Sequence, residues 1–398
     1  MSAPRVLYSF PDTLGKAGIG TTALEQVRSL ARLGLDVHVA ATSLAEDPGV
    51  PCTLTLSAAG RRVPHRALGR DRTGSLRAYA WHDRRVAGLI RRRGASFDVV
   101  HCWPQATLQT ARSARANNLP VLRQAPSTHT AHAIATVSEL HEELGLPLGP
   151  DDVHGHSDQL VAREQAEYAA VDRVLVPSEH AARTFADNGV PAERIALHRF
   201  GCDVGRFTPP SEPRGEQPLT VVFAGRGEPA KGLHLALRAW ADSGIGSEAR
   251  LVLCGRIEPR FRAYLGDLLE QPGLEERGYD PDLTDLMRSS DVLLLPSLNE
   301  GSALVTYEAQ ASGCVLAVSD AAGAYAEHAV HGLIHEAGDV ATLTEHLAML
   351  ARDRSLLERM RGRSLADRDR LSWDAAAQGL AGVYSQAVGA CEAPPVAA

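Results

Sequence analysis

Between Asp291 and Gly313 the chain reads D-V-L-L-L-P-S-L-N-E-G-S-A-L-V-T-Y-E-A-Q-A-S-G, a stretch with few structural options. The apolar run Val292–Leu295 has no polar face. It predicts a parallel strand buried on both sides and closed by Pro296. After a short polar loop, the residues from about Ser302 to Ser312 predict a helix stopped by Gly313. The first N–H groups of such a helix have no partner within it and point at the space above the strand end, a place suited to a phosphate. Glu300 stands before the helix and Glu308 within it, with seven residues between them. The two carboxylates can therefore reach hydroxyl groups on opposite sides of a bound diphosphate.

The same strand-loop-helix unit recurs along the chain. Arg5 to Phe10 predicts a strand, followed by a glycine-containing loop with Gly15, Gly18 and Gly20, a helix through Leu33, and a second strand at Leu35–Ala41. Phe97–Cys102 and Pro120–Arg123 predict further strands. Pro209–Pro218 has the composition of a linker. Beyond it Leu219–Gly225 restarts the pattern, with a helix at His234–Ala241 and another strand at Leu251–Gly255. The expected architecture is α/β: a first domain over 1–209, a linker at 210–218, a second domain over 219–372, and a closing helix at 373–390. A length of 398 residues suits two domains.

Composition narrows the function. A net charge of −7 argues against a nucleic-acid partner. No apolar run approaches the roughly 18–20 residues that span a bilayer, and the N-terminus shows no signal-peptide core, so a cytoplasmic protein is expected. The six cysteines are scattered without a C-x-x-C pair, which predicts reduced thiols and no zinc site. Only Lys16 and Lys231 among 41 basic residues are lysine. That bias is typical of a GC-rich, actinobacterial genome, and both lysines fall in glycine-containing segments. Residues 61–93 are strongly basic. A solvated helix face is the favoured reading, and a membrane-surface patch the less favoured one.

Candidate sites follow from the strand ends. The first glycine loop does not fit G-x-G-x-x-G, and the second strand ends in V-A-A-T-S without an acid, so a dinucleotide site is not expected. Gly225 ends a strand and is followed by Arg226 and Lys231, five residues apart in a glycine-bounded loop before a helix: a cationic cradle that is not a P-loop. His129 lies just beyond the strand Pro120–Arg123, where open α/β sheets place ligands. His154, His156 and Asp158 are too loosely spaced for a metal site, and the polar segment Val137–Gln165 is read as an exposed acceptor-side loop.

With these motifs in place, the chain resembles the retaining glycosyltransferases of family four. E-x7-E at Glu300 and Glu308, G-R-x-x-x-x-K-G at Gly225–Gly232, G-x-D-x-x-x-F at Gly201–Phe207 and the closing L-S-W-D segment carry the resemblance. It implies a GT-B fold, two Rossmann-like doubly wound domains facing a cleft, and a nucleotide-sugar donor. It implies that Arg226 and Lys231 stabilise the leaving diphosphate, Glu308 binds the ribose, and Glu300 and His129 contact the donor sugar. Gly18 and Gly20 would approach the phosphates, Gly278 would lie by the base, and Gly301, Ser302, Ala303 and Leu304 would bring the helix N-terminus. Metal-independent transfer of a UDP- or GDP-linked sugar to a small-molecule acceptor is expected, with no cofactor besides the donor. A lipid acceptor at a membrane surface, a sugar-nucleotide epimerase and a non-catalytic sensor are the alternatives. A family glycine pair reads Ala322-Gly323 here, a departure from the pattern.

Overall fold

The computed structural model describes residues 3–58, 61–63, 72–148, 158–212 and 217–392. Its first half contains β1 (Val6–Leu14), β2 (Val37–Leu44), β3 (Cys52–Leu54), a short antiparallel pair β4 (Ser57–Ala58) and β5 (Arg61–Arg62), then β6 (Val99–Cys102), β7 (Val121–Gln124), β8 (Arg173–Val176) and β9 (Ile195–Leu197). The second half contains β10 (Leu219–Ala224), β11 (Ala249–Cys254), β12 (Leu274–Gly278), β13 (Val292–Leu295), β14 (Val315–Ser319) and β15 (Gly332–His335). Two parallel sheets result, in the orders β3-β2-β1-β6-β7-β8-β9 and β12-β11-β10-β13-β14-β15. Strand order reverses beside β1 in one sheet and beside β10 in the other. In such sheets ligands bind at the carboxyl ends of the strands around that point.

The central strands are apolar because helices cover both faces. Val292, Leu293, Leu294 and Leu295 are all buried, as are Val221, Val222 and Phe223 beside them. Strand β1 runs four residues beyond its expected end at Phe10. Pro11 lacks an N–H, and the ladder to β2 shifts register between Phe10 and Thr13 to accommodate it. The helix after β13 covers Leu304–Ala311, two residues shorter at its start than the sequence pattern suggests, because Ser302 and Ala303 are held in a turn by other partners.

One further expectation changes. The described residues of the segment read as an exposed loop over Val137–Gln165 are mostly helical, with helices at Thr130–Glu143 and Asp158–Ala170. Ile134, Val137 and Leu140 give the first of these a buried stripe that its polar residues obscure. His154 and His156 lie outside the described residues, as do Arg66 and Arg70. Beyond β5, the described part of the basic stretch forms the helix Arg72–Arg93, which buries Val86, Leu89 and Ile90 and exposes Arg84, Arg85, Arg91, Arg92 and Arg93, as the favoured reading expects. Among the described residues no helix is long and apolar enough to cross a membrane. Cys102, Cys202, Cys254 and Cys314 are buried, and Cys52 and Cys391 exposed.

The chain crosses between the two sheets twice, side by side. The Cys202 N–H donates to the Leu371 carbonyl at 2.8 Å, and a side chain at Gly201 would come within 2.6 Å of the Trp373 nitrogen. After the second crossing, helix Trp373–Glu392 returns to the first sheet. Its Ala377, Leu380, Tyr384 and Ala387 join the core of Tyr8, Phe10 and Trp103. The Tyr384 hydroxyl bonds to His101 Nδ1 at 2.6 Å, and Arg32 pairs with Asp374 at 2.7 Å.

One charge cluster is sealed inside the first domain. Arg123 on β7 is fully buried and pairs with Glu167 at 2.9 Å and Glu164 at 3.3 Å, with its guanidinium 4.4 Å from the Tyr168 ring centroid. Glu167 also accepts from the Gln105 and Thr107 N–H groups. Removing the cation would leave buried carboxylates uncompensated, at a cost of about 3–5 kcal/mol. Arg123→Met is therefore expected to lower the thermal midpoint by about 10 °C, measured by circular dichroism. An unchanged midpoint would mean that the carboxylates find other partners.

Candidate active site

Strands β10, β11 and β12 end together at Gly225, Gly255 and Gly278, all with positive φ. A side chain at Gly255 would come within 1.8 Å of the Gly225 carbonyl, so the chain can turn out of adjacent strands only because no Cβ is present. Arg226 leaves β10 at this edge, two-thirds exposed, and pairs with Glu228 at 3.0 Å. Tyr279 follows Gly278 and is exposed, with the Arg256 guanidinium 5.2 Å from its ring centroid. An open aromatic face beside a cation at a strand end suits the stacking of a nucleotide base.

Lys231 ends the 3-10 turn Pro229–Lys231, and Gly232 then adopts φ +70°. A Cβ at Gly232 would lie 1.9 Å from the Pro296 carbonyl. The Leu298 N–H donates to the Ala230 carbonyl at 2.8 Å. These contacts fasten the lysine turn to the loop after β13, and the Lys231 ammonium forms an ion pair with Glu300. Burial lowers the Lys231 ammonium to about 8, with Arg226 pushing the same way and Glu228 opposing.

The loop then passes Gly301, where a side chain would meet the Pro126 carbonyl at 2.3 Å and Ser127 Cα at 2.6 Å. Gly301 is thus a point at which the second domain touches the first. The Ser178 hydroxyl donates to the Gly301 carbonyl at 2.6 Å, and Thr128 donates to Asn299 Oδ1 at 2.6 Å. Ser302 turns inward, donating to the Gly323 carbonyl at 2.9 Å, and the Ala303 N–H is bonded to the Ala322 carbonyl. The Ser302 hydroxyl and the Ala303 N–H are thus already donated within the fold. The donors at the helix start are those of Leu304 and Val305.

Glu308 lies one turn further along. Burial raises its carboxyl to about 7, and Arg206 offsets the shift in part. His129 is 1% exposed, its ring packs 5.2 Å from both Tyr168 and Phe185, and its Nδ1 accepts from the Ala131 N–H as the cap of helix Thr130–Glu143. Burial lowers it to about 4, so the ring is neutral. The capping imidazole positions the helix and lines a cavity of about 240 Å³ with Tyr168 and Asn188. Three residues on, His132 is half-buried, with its ring 5.9 Å from that of His180.

In the first glycine loop, Gly20 is required by packing, since a Cβ would meet the Thr13 carbonyl at 2.6 Å. Gly18 caps helix Ile19–Arg32 at φ +90° with open space around it. Among the described residues no group of three or more His, Cys, Asp or Glu is arranged to hold a metal ion. The sequence reading missed Thr128, Ser178 and Asn299. Single hydroxyls and amides carry no spacing signal, and these matter only because the fold brings two distant loops together.

Residues 17–206 match the family model Glycosyltransferase Family 4, and residues 206–365 match Glycosyl transferases group 1. The chain is 29% identical to a D-inositol 3-phosphate glycosyltransferase of Xylanimonas cellulosilytica, over 95% of this chain and 93% of that protein. A protein of the same name from Thermobispora bispora is 26% identical, over 95% and 92%. Among solved structures, Anabaena Alr3699/HepE in complex with UDP and glucose superposes with a TM-score of 0.64 at 16% identity, over 96% of this chain and 100% of that one. The lipopolysaccharide outer core galactosyltransferase WaaB in its apo form gives 0.68 at 13% identity, over 96% and 99%. At such identities the structures speak for the fold.

If the two shifted groups hold a diphosphate, they set a pH window for it. Glu308 accepts hydrogen bonds best when ionised, above about 7, and Lys231 carries its charge below about 8. UDP affinity is expected to be greatest between these values. It falls on the acid side as Glu308 takes up a proton and on the alkaline side as Lys231 loses one. Calorimetric titration from acid to alkaline pH checks this. Glu308→Gln should flatten the acid limb and Lys231→Arg the alkaline one; affinity that does not vary with pH would rule the pairing out.

Proposed function

The chain belongs to the family-four glycosyltransferases, and from that premise we propose that it moves the sugar of a UDP-linked donor to a hydroxyl of a small polyol acceptor of the inositol phosphate kind. Transfer proceeds with retention of anomeric configuration and without a metal ion. The observation that carries this reading is the fastening of the Lys231 turn to the Glu300 loop, with the start of helix Leu304–Ala311 beside them. Cation, carboxylate and free backbone donors are thereby held at one strand edge.

Cleavage of the donor's glycosidic bond leaves negative charge on the diphosphate. Arg226, Lys231 and the Leu304 and Val305 N–H groups answer that charge, the task a divalent ion performs elsewhere. An arriving diphosphate competes with Glu300 for Lys231. Glu300 is then released to accept from hydroxyls of the donor sugar, while Glu308 accepts from the ribose. The acceptor attacks on the face from which the diphosphate leaves, and a phosphate oxygen takes the acceptor's proton. No enzyme nucleophile is needed. The uridine donor is supported by the UDP complexes among the structural neighbours, and the acceptor class by the names of the relatives. An actinobacterial biosynthetic setting is consistent with the scarcity of lysine.

UDP-sugars incubated with inositol phosphates are expected to give a glycoside whose anomeric centre matches the donor's by NMR, at a rate unaffected by EDTA. Lys231→Ala and Arg226→Ala are each expected to lower kcat/KM at least about tenfold, as for a lost charge-assisted contact worth about 1.5–3 kcal/mol. Wild-type rates in both variants would remove the cradle from the mechanism. Loss of activity in EDTA with recovery on adding Mn²⁺ would overturn metal independence.

A further inference from the structure

Beside the double crossing lies a cavity of about 260 Å³ lined by Leu197, Arg199, Phe200, Tyr325, Arg370 and Ala376, among others. It shares no residue with the Lys231–Glu300 loops. Its walls come from the end of β9, the loop after β14, the second crossing and the helix that closes the first domain. The cavity therefore spans both domains.

Its chemistry is cationic. The Arg199 and Arg370 guanidiniums lie 4.0 Å and 4.3 Å from the centroid of the Tyr325 ring. Two like charges against one ring stand at most about 8 Å apart and repel each other. Arg199 is otherwise engaged by Glu179, whose own side chain is 59% exposed. Arg370 donates to the Tyr325 carbonyl at 3.0 Å and lies 3.4 Å from Gln310 Oε1. Even so, Arg199 Nη1 and Arg370 Nε are enclosed and find no hydrogen-bond acceptor among the described residues. Burial and the neighbouring Arg199 both lower the Arg370 guanidinium. Enclosed donors without acceptors are costly, and an anion held between the two guanidiniums that line the cavity would relieve their repulsion.

We infer that this cavity is a binding site for the phosphate group of a small metabolite, separate from the donor diphosphate site. Planar guanidiniums suit phosphate oxygens, and a tetrahedral dianion matches two cations where a neutral sugar would match neither. Occupancy would join the end of β9, the second crossing and Tyr325 through one ligand. Phe200, Trp373 and Ala376 form a small apolar cluster there, against which Leu304 packs. Leu304 opens the helix whose N–H groups face the cleft, so a ligand in the cavity bears on the donor site through that one side chain.

Inorganic phosphate is the probe, titrated calorimetrically into the intact protein. Phosphate also suits the Lys231 cradle, so the titration is repeated in Lys231→Ala. The inference expects saturable binding that survives Lys231→Ala and weakens at least tenfold in Arg199→Gln. Arg199→Gln removes the pair with the exposed Glu179 and the contact with the Tyr325 ring, and a parallel thermal melt confirms its folding. Arg370→Lys, which keeps the charge but loses the fork, should weaken binding as well. Binding that is lost in Lys231→Ala and kept in Arg199→Gln would place phosphate in the donor cleft and overturn the inference. So would the absence of saturable binding to the wild-type protein.

Discussion

The site depends on one close approach, that of Gly232 to the carbonyl of Pro296. The two loops belong to different strands, β10 and β13, which are neighbours in the sheet. Backbone contact at this distance leaves no space for a methyl group, and the adjacent bond from Leu298 to Ala230 fixes the register. Lys231 and Glu300 meet because their main chains are already locked, so their pairing costs little side-chain ordering. Electrostatic preorganisation of this sort is what charge development in a reaction requires.

A second set of contacts is made between domains. Gly301 lies against Pro126 and Ser127, Thr128 bonds Asn299, Ser178 bonds Gly301, and Arg183 pairs with Asp320 at 2.8 Å. The loop that carries Glu300 is therefore part of the domain interface as well as of the site. Any rotation of one domain against the other must pass through that loop. Whatever engages Glu300 is mechanically linked there to the position of the domains.

Much of the fold could be read in the sequence because buried parallel strands write themselves as apolar runs. Val292–Leu295 and Leu219–Ala224 have no alternative as surface segments. Helix Thr130–Glu143 was harder, since its buried stripe of Ile134, Val137 and Leu140 is spaced among polar residues that look like a loop. At the site, charged residues between glycines were visible, but the use of each atom was not. The Ala303 N–H and the Ser302 hydroxyl look like free donors in a strand-loop-helix pattern. They are spent on Ala322 and Gly323, residues about twenty positions away that no local pattern connects. His129 occupies the expected strand end, yet helix capping and two aromatic neighbours draw its ring inward.

Helix Trp373–Glu392 has a consequence for how the molecule comes into being. It completes the core of the first domain, filling the space beside Tyr8, Phe10 and Trp103 with Leu380 and Tyr384. The second domain is, in effect, an insertion into the first. On a ribosome adding roughly 5–20 residues per second, the first domain emerges and must then wait on the order of ten seconds or more for its last wall. During that interval its sheet exposes a strip of apolar surface, while the second domain, uninterrupted in sequence, can fold at once. The half that is translated first is thus the half that finishes last.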